Sequence, residues 1–178
     1  AIIHLVRCFE SDKITHVNSK IDPVEDLETI KTEIILSDID VIQKKLDKGK
    51  KKLLDEKEIK ILEDKLEQLN QGNDLKTNDE TENKFLSNLG LLSMKPKIIV
   101  CNVDEESLSN GNSFTESVKN KYLNEKVIII CADIEDQIMG LDNNEQETFM
   151  KEIGLNKTGL NQLIKEGYDL LNLDTFFT

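Results

Sequence analysis

The residues best placed to do chemistry in this chain are Asn102-Val103-Asp104-Glu105 and Cys131-Ala132-Asp133-Ile134. Each stretch directly follows an apolar run, Ile98-Ile99-Val100-Cys101 in one case and Val127-Ile128-Ile129-Ile130 in the other. If those runs are parallel strands, both stretches leave the sheet at its carboxyl edge, where open α/β sheets hold their ligands. In the guanine-reading pattern Asn-Lys-x-Asp, the Asn fixes the loop and touches the base edge. The Asp accepts from the N1–H and 2-amino donors of guanine, a pair that an acceptor-only carboxylate matches. Here Val103 stands in place of the Lys, and Glu105, one methylene longer, in place of the Asp. Adenine offers a donor at N6 and an acceptor at N1. A carboxylate facing N1 would be repelled, while a backbone carbonyl facing N6 would be satisfied. The departure therefore points from guanine toward adenine. A polar turn after a strand would have the same spacing.

Other chemistries find less support. The phosphate-cradling pattern Gly-x-x-x-x-Gly-Lys-Ser/Thr is absent, since Gly49-Lys50 lacks the other glycine. No residue of this chain is therefore assigned a catalytic role, and none a metal. His4 and His16 have the spacing of neither a zinc site nor a Ser-His-Asp triad. His4, inside an apolar run, reads as a core residue. Cys8, Cys101 and Cys131 form no CxxC pair, and their odd number argues against a disulfide framework. Small buried thiols in a reducing, cytoplasmic compartment are the expectation. Lys48, Lys50, Lys51 and Lys52 cluster with Lys44 and Lys45 in an otherwise acidic chain. They read either as a solvated turn or as a basic finger for an acidic partner or RNA.

The elements that must position these residues follow from local signals. Asp22-Pro23-Val24-Glu25 opens a helix as cap, first-turn proline and capping-box acid. Leu27, Ile30, Ile34, Val41 and Leu46 continue it at helical spacing, and 48–52 breaks it. Asp55-Glu56-Lys57-Glu58 caps a second helix with the stripe Ile59, Leu62, Leu66 and Leu69, so the two form an antiparallel hairpin. Residues 70–83 read as a polar loop, and Phe85, Leu86, Leu89 and Leu92 as a short helix ending before Pro96. Beyond it, apolar strands alternate with helices near 115–123, 133 onward, 142–154 and 160–171. That pattern predicts a parallel sheet covered on both faces.

Composition bounds the partners. At 178 residues, the chain has the length of one ordinary domain or of one domain carrying an insertion, and its net charge of −12 speaks against a simple polyanion binder or a sequence-specific DNA binder. Aromatics at 4% and no Trp argue against recognition by stacked bases. No apolar run approaches the about 20 residues of a membrane span, and no signal peptide is visible. The apolar start at Ala1 and the closing Phe176-Phe177 read as ends cut from something longer.

Taken together, several runs resemble the Obg-like ATPase (YchF) family. They are Leu5-Val6-Arg7-Cys8-Phe9-Glu10, Ile14-Thr15-His16-Val17, Ile21-Asp22-Pro23 and Asp26-Leu27-Glu28-Thr29-Ile30. Lys95-Pro96, Asn102-Val103-Asp104-Glu105, Cys131-Ala132-Asp133-Ile134-Glu135, Gly159-Leu160, Gly167-Tyr168 and Thr175-Phe176-Phe177-Thr178 complete the set. The resemblance implies an α/β fold, part of a Rossmann-like P-loop NTPase with a mostly parallel sheet and an inserted coiled-coil hairpin. It implies boundaries at 1–21 for the first strand and loop, 22–84 for the hairpin, and 85–178 for the C-terminal half of the nucleotide domain. The P-loop, its Mg²⁺ ligands and a TGS domain would lie outside the chain. The implied activity of the whole protein is ATP hydrolysis in preference to GTP, by a ribosome-associated monomer. Asn102, the Val103 carbonyl and Glu105 would read the base, flanked by Cys131, Ala132 and Asp133. Lys48, Lys50, Lys51 and Lys52 would be the candidate partner contact. The alternatives are a GTPase of the same class, or a coiled-coil interaction module without catalysis of its own.

Overall fold

The computed structural model describes residues 1–11, 20–49, 54–77 and 79–176. In chain order the elements are β1 (Ile2–Arg7), α1 (Pro23–Gly49), α2 (Glu56–Asn70), α3 (Glu80–Ser87), β2 (Lys97–Asn102), α4 (Ser113–Lys121), β3 (Lys126–Ile130), α5 (Ala132–Met139), α6 (Asn143–Glu152) and α7 (Gly159–Leu170). They form two compact units, one of Ala1–Leu27 with Pro96–Thr178, the other of Glu28–Lys95.

The first unit is built on a parallel sheet of order β1-β2-β3, as the alternation of apolar runs and helices leads one to expect. Its strands are short and apolar, so each contributes to both faces. On one face Val6, Ile99 and Cys101 pack with Val118 of α4 and with Ile134 and Ile138 of α5. On the other, Ile98, Val100 and Ile128 meet Leu163 and Leu170 of α7. A Lys126–Glu166 ion pair at 2.9 Å fastens α7 to β3. Cover on that second face stops short of β1, where Ile3 and Leu5 remain 54% and 60% exposed. The uninterrupted run Ile2-Ile3-His4-Leu5-Val6 had pointed to burial on both sides. His4 is half-buried, and burial, then the charge of Lys97, hold its imidazole below the ordinary range.

In the second unit, α1 and α2 lie antiparallel. Lys31 near the start of α1 sits 4.0 Å from Asp74, beyond the end of α2. Ile35, Ile42 and Leu46 pack with Leu62, Leu69, Leu75, Leu86 and Leu91. Asp22 accepts from the N–H groups of Val24 and Glu25 at the start of α1. Asp55 and Glu58 form the capping box of α2. The segment read as a polar loop up to residue 83 holds the first turn of α3. Asp79 is its N-cap, accepting from Thr81 N–H at 2.7 Å and Glu82 N–H at 3.1 Å. Leu89 and Leu92 follow the helix in a turn, with Gly90 at φ +71°. Leu86 and Leu91 join the hairpin core, and this unit runs to Lys95.

Candidate functional site

Asn102 ends β2 directly opposite Ile130, the last residue of β3. The two stretches singled out by chemistry therefore leave the sheet side by side. The Asn102 Oδ1 accepts from Ala132 N–H at 3.0 Å. Ala132 opens α5, and its N–H is one of the orphan donors that every helix start leaves. Cys131, the N-cap, makes no side-chain cap bond there, so the neighbouring strand supplies the acceptor. Val103 extends the ladder one step, its N–H donating to the Ile130 carbonyl at 2.8 Å while its side chain is buried. On the other side, Cys8 N–H donates to the Asn102 carbonyl at 2.7 Å.

The loop that follows is folded on its own polar side chains. Asp104 Oδ1 accepts from Ser107 N–H at 2.9 Å. Asn112 caps α4, accepting from the N–H groups of Phe114 and Thr115, each at 3.1 Å. Its Nδ2 donates to the Cys8 carbonyl at 2.7 Å and to Ser107 Oγ at 3.2 Å. Gly111 precedes it at φ +74°, and a Cβ there would stand 2.4 Å from Thr115 Oγ1, so the turn requires glycine. Glu105 stays in solvent and is held toward α5, its Oε1 accepting from Gln137 Nε2 at 3.5 Å.

Cys131 is buried between the strand and α5, with Ala132 and Asp133 exposed beside it. Burial raises the Cys131 thiol above its ordinary range, offset in part by the amides of Ile134 and Asp133. Lys48 is exposed near the end of α1. Lys50, Lys51, Lys52 and His16 lie outside the described residues. Among the described residues, no group of three or more His, Cys, Asp or Glu side chains is arranged to hold an ion. No described helix is long and apolar enough to cross a membrane.

Three residues of the site were not singled out by sequence reasoning. Asn112 carried a signal, since Gly-Asn-Ser is a turn followed by a helix cap. Glu135 and Gln137 carried none, because their partners lie 24 and 32 positions away in the chain.

No protein-family model matches the chain. Curated relatives do. The chain is 38% identical over 187 residues to the ribosome-binding ATPase YchF of Escherichia coli O157:H7, covering 100% of this chain and 51% of that protein. It is 37% identical over 190 residues to the protein of the same name from Bacillus subtilis, covering 100% of this chain and 52% of that one. Its counterpart from Mycoplasma genitalium is 40% identical over 190 residues, covering 99% and 52%. The chain thus spans about half the length of the curated relatives it matches. Among solved structures, the YchF GTPase of Schizosaccharomyces pombe superposes with a TM-score of 0.85 over 97% of this chain and 50% of that one, at 24% identity, which establishes the fold. With 37–40% identity to these curated relatives along its whole length, the chain belongs to the YchF family.

Proposed function

We propose that this chain is the base-recognition and hairpin portion of an NTP hydrolase that takes ATP in preference to GTP and works on the ribosome in the cytoplasm. The observation that carries it is the Asn102–Ala132 hydrogen bond, which joins two stretches 30 positions apart into one ligand-edge site. The name shared by the curated relatives, ribosome-binding ATPase, supports both the nucleotide and the ribosome. The Asn102 amide and the Val103 carbonyl contact adenine, and Cys131, Ala132 and Asp133 flank it. Glu105, drawn toward Gln137, does not present the guanine-reading carboxylate. Residues 1–21 and 85–178 serve the nucleotide domain, and 22–84 the inserted hairpin. Attack of water on the γ-phosphate rests on positioning and charge stabilisation, with Mg²⁺ neutralising the phosphates. This chain supplies the base contacts and none of the phosphate chemistry. Purified residues 1–178 should hydrolyse nothing, and sustained turnover would refute that.

The deciding experiment is competition between ATP and GTP for the whole protein. Tighter binding of ATP supports adenine reading at Asn102 and Val103. Tighter binding of GTP leaves the fold assignment standing and removes the adenine argument. Neutralising Lys48, Lys50, Lys51 and Lys52 tests the partner. Loss of ribosome co-sedimentation with ATP binding intact makes the hairpin turn a contact site, and no change makes it a solvated turn.

A further inference from the structure

The carboxylate of Glu135 joins two helices. Its Oε1 accepts from Gly159 N–H at 2.6 Å and its Oε2 from Leu160 N–H at 3.2 Å. These are the first two amides of α7, and an anion at a helix start also gains from the aligned backbone dipoles. Thr158, the N-cap of α7, uses its own Oγ1 for Asn161 N–H at 3.0 Å, so the two acceptors share the orphan donors. The approach is close. A Cβ on Gly159 would stand 2.6 Å from Ile130 Cγ2 and 2.9 Å from Glu135 Oε1, so α7 starts hard against the end of β3.

Glu135 lies in the first turn of α5, whose leading amide is held by Asn102. Besides the core packing of Ile134, the turn has two polar anchors, to β2 at Ala132 and to α7 at Glu135. Cys131, Ala132 and Asp133 are carried on it. Leu163 and Leu170 seat α7 on the sheet in turn, together with the Lys126–Glu166 pair. We infer that Glu135 is a positioning residue for purine discrimination: by tying α5 to α7 it holds the stretch 131–133 at a set distance from Asn102. This rests on the adenine-reading role proposed above. Without the carboxylate, the first turn of α5 keeps its apolar seat through Ile134 but only the bond from Asn102 as a polar anchor, and the site admits both purines more evenly.

The test uses the whole protein. Dissociation constants for ATP and GTP are measured by competition against a fluorescent nucleotide, in the wild type and in E135A and E135Q. E135A is expected to narrow the ATP-to-GTP ratio about tenfold, the lower end of what one lost hydrogen bond to a charged group is worth. E135Q keeps one neutral acceptor at the same chain length and falls between. Amide exchange provides the structural readout. Gly159 and Leu160 should exchange about tenfold faster in E135A, while Asn161, capped by Thr158, keeps its rate. If exchange accelerates and the ratio keeps its wild-type value, Glu135 is a helix cap only and the proposal falls. A wild type without purine preference overturns the adenine reading itself, and this proposal with it. Should E135A fail to fold, E135Q carries both readouts.

Discussion

In the function proposed above, Asn102 divides its side chain between fold and ligand. Its Oδ1 holds the Ala132 amide, and the described residues offer its Nδ2 no acceptor. Asn102→Asp separates the two jobs. The carboxylate still accepts from Ala132 N–H and gains from the helix start, but it has no donor for a ring nitrogen. The whole protein carrying it should melt as the wild type does, with ATP affinity down about tenfold, the worth of one missing hydrogen bond in a closed site. Asn102→Ala loses both functions and adds about 1 kcal/mol of instability, as capping losses do. If Asn102→Asp binds ATP at full strength, the residue serves the fold alone. Glu105 is the complementary case. Glu105→Asp gives up the reach to Gln137 and takes the acid length of the guanine pattern. The ATP-to-GTP ratio should then move toward GTP, and an unmoved ratio would make Glu105 a bystander. The Asn102–Glu105 tetrad was legible because residue type, spacing and the strand before it are all local. The bond to Gln137 was not, since no local signal pairs positions 32 apart.

Helix starts in this chain were legible at Asp55 and Asp142, each followed three residues later by Glu. The start of α3 escaped because Glu80-Thr81-Glu82 carries no apolar residue, and polar composition reads as loop. Its cap makes a pH prediction. The N–H groups of Glu82, then Thr81, hold the Asp79 carboxyl below its ordinary range. A carboxyl depressed in the folded state contributes stability that is present above its unfolded pKa, about 3.9. That contribution is lost as pH falls through the folded value. Protection factors at Thr81 and Glu82 should therefore drop across the acid window below about pH 4 in the wild type. In D79N, whose neutral amide caps as well, they should stay flat. A flat wild-type profile would deny the carboxylate its anchoring role. Asp38 anchors at longer range. Only 1% exposed, it accepts from Leu92 N–H and Ser93 N–H at 2.8 Å each and from Ser93 Oγ at 2.6 Å. In sequence it reads only as a polar interruption between Ile34 and Ile42 on the apolar stripe. Asp38→Ala strands three donors, the two of Ser93 buried, and should cost about 3 kcal/mol or more in urea unfolding of the whole protein. A loss below about 1 kcal/mol would mean that water reaches those donors.

At the scale of the whole molecule, each hydrophobic cluster falls within one unit. Val6, Ile99, Val118 and Ile134, and across the sheet Ile98, Val100 and Ile128, belong to the unit that carries Asn102. Ile42, Leu62, Leu69 and Leu86 belong to the unit of Glu28–Lys95. That an element pair interrupts an α/β sheet was legible from the switch between helical stripes and short apolar runs. The bare outer face of β1 was not, because an uninterrupted apolar run carries no mark of which side a helix covers. Separate cores predict separable stabilities. Leu62→Ala empties a fully buried position and should cost about 2–5 kcal/mol. The loss should appear as faster amide exchange in α1 and α2, while β2 and β3 keep their protection and the whole protein keeps its ATP affinity. Val118→Ala, equally buried but in the other cluster, should do the reverse, weakening β2 protection and ATP binding together. If Leu62→Ala lowers protection in β2 and β3 as much as in α2, the two cores unfold as one. Base recognition would then depend on the hairpin, and changes at Lys48, Lys50, Lys51 and Lys52 could no longer be interpreted without measuring nucleotide affinity in the same variants.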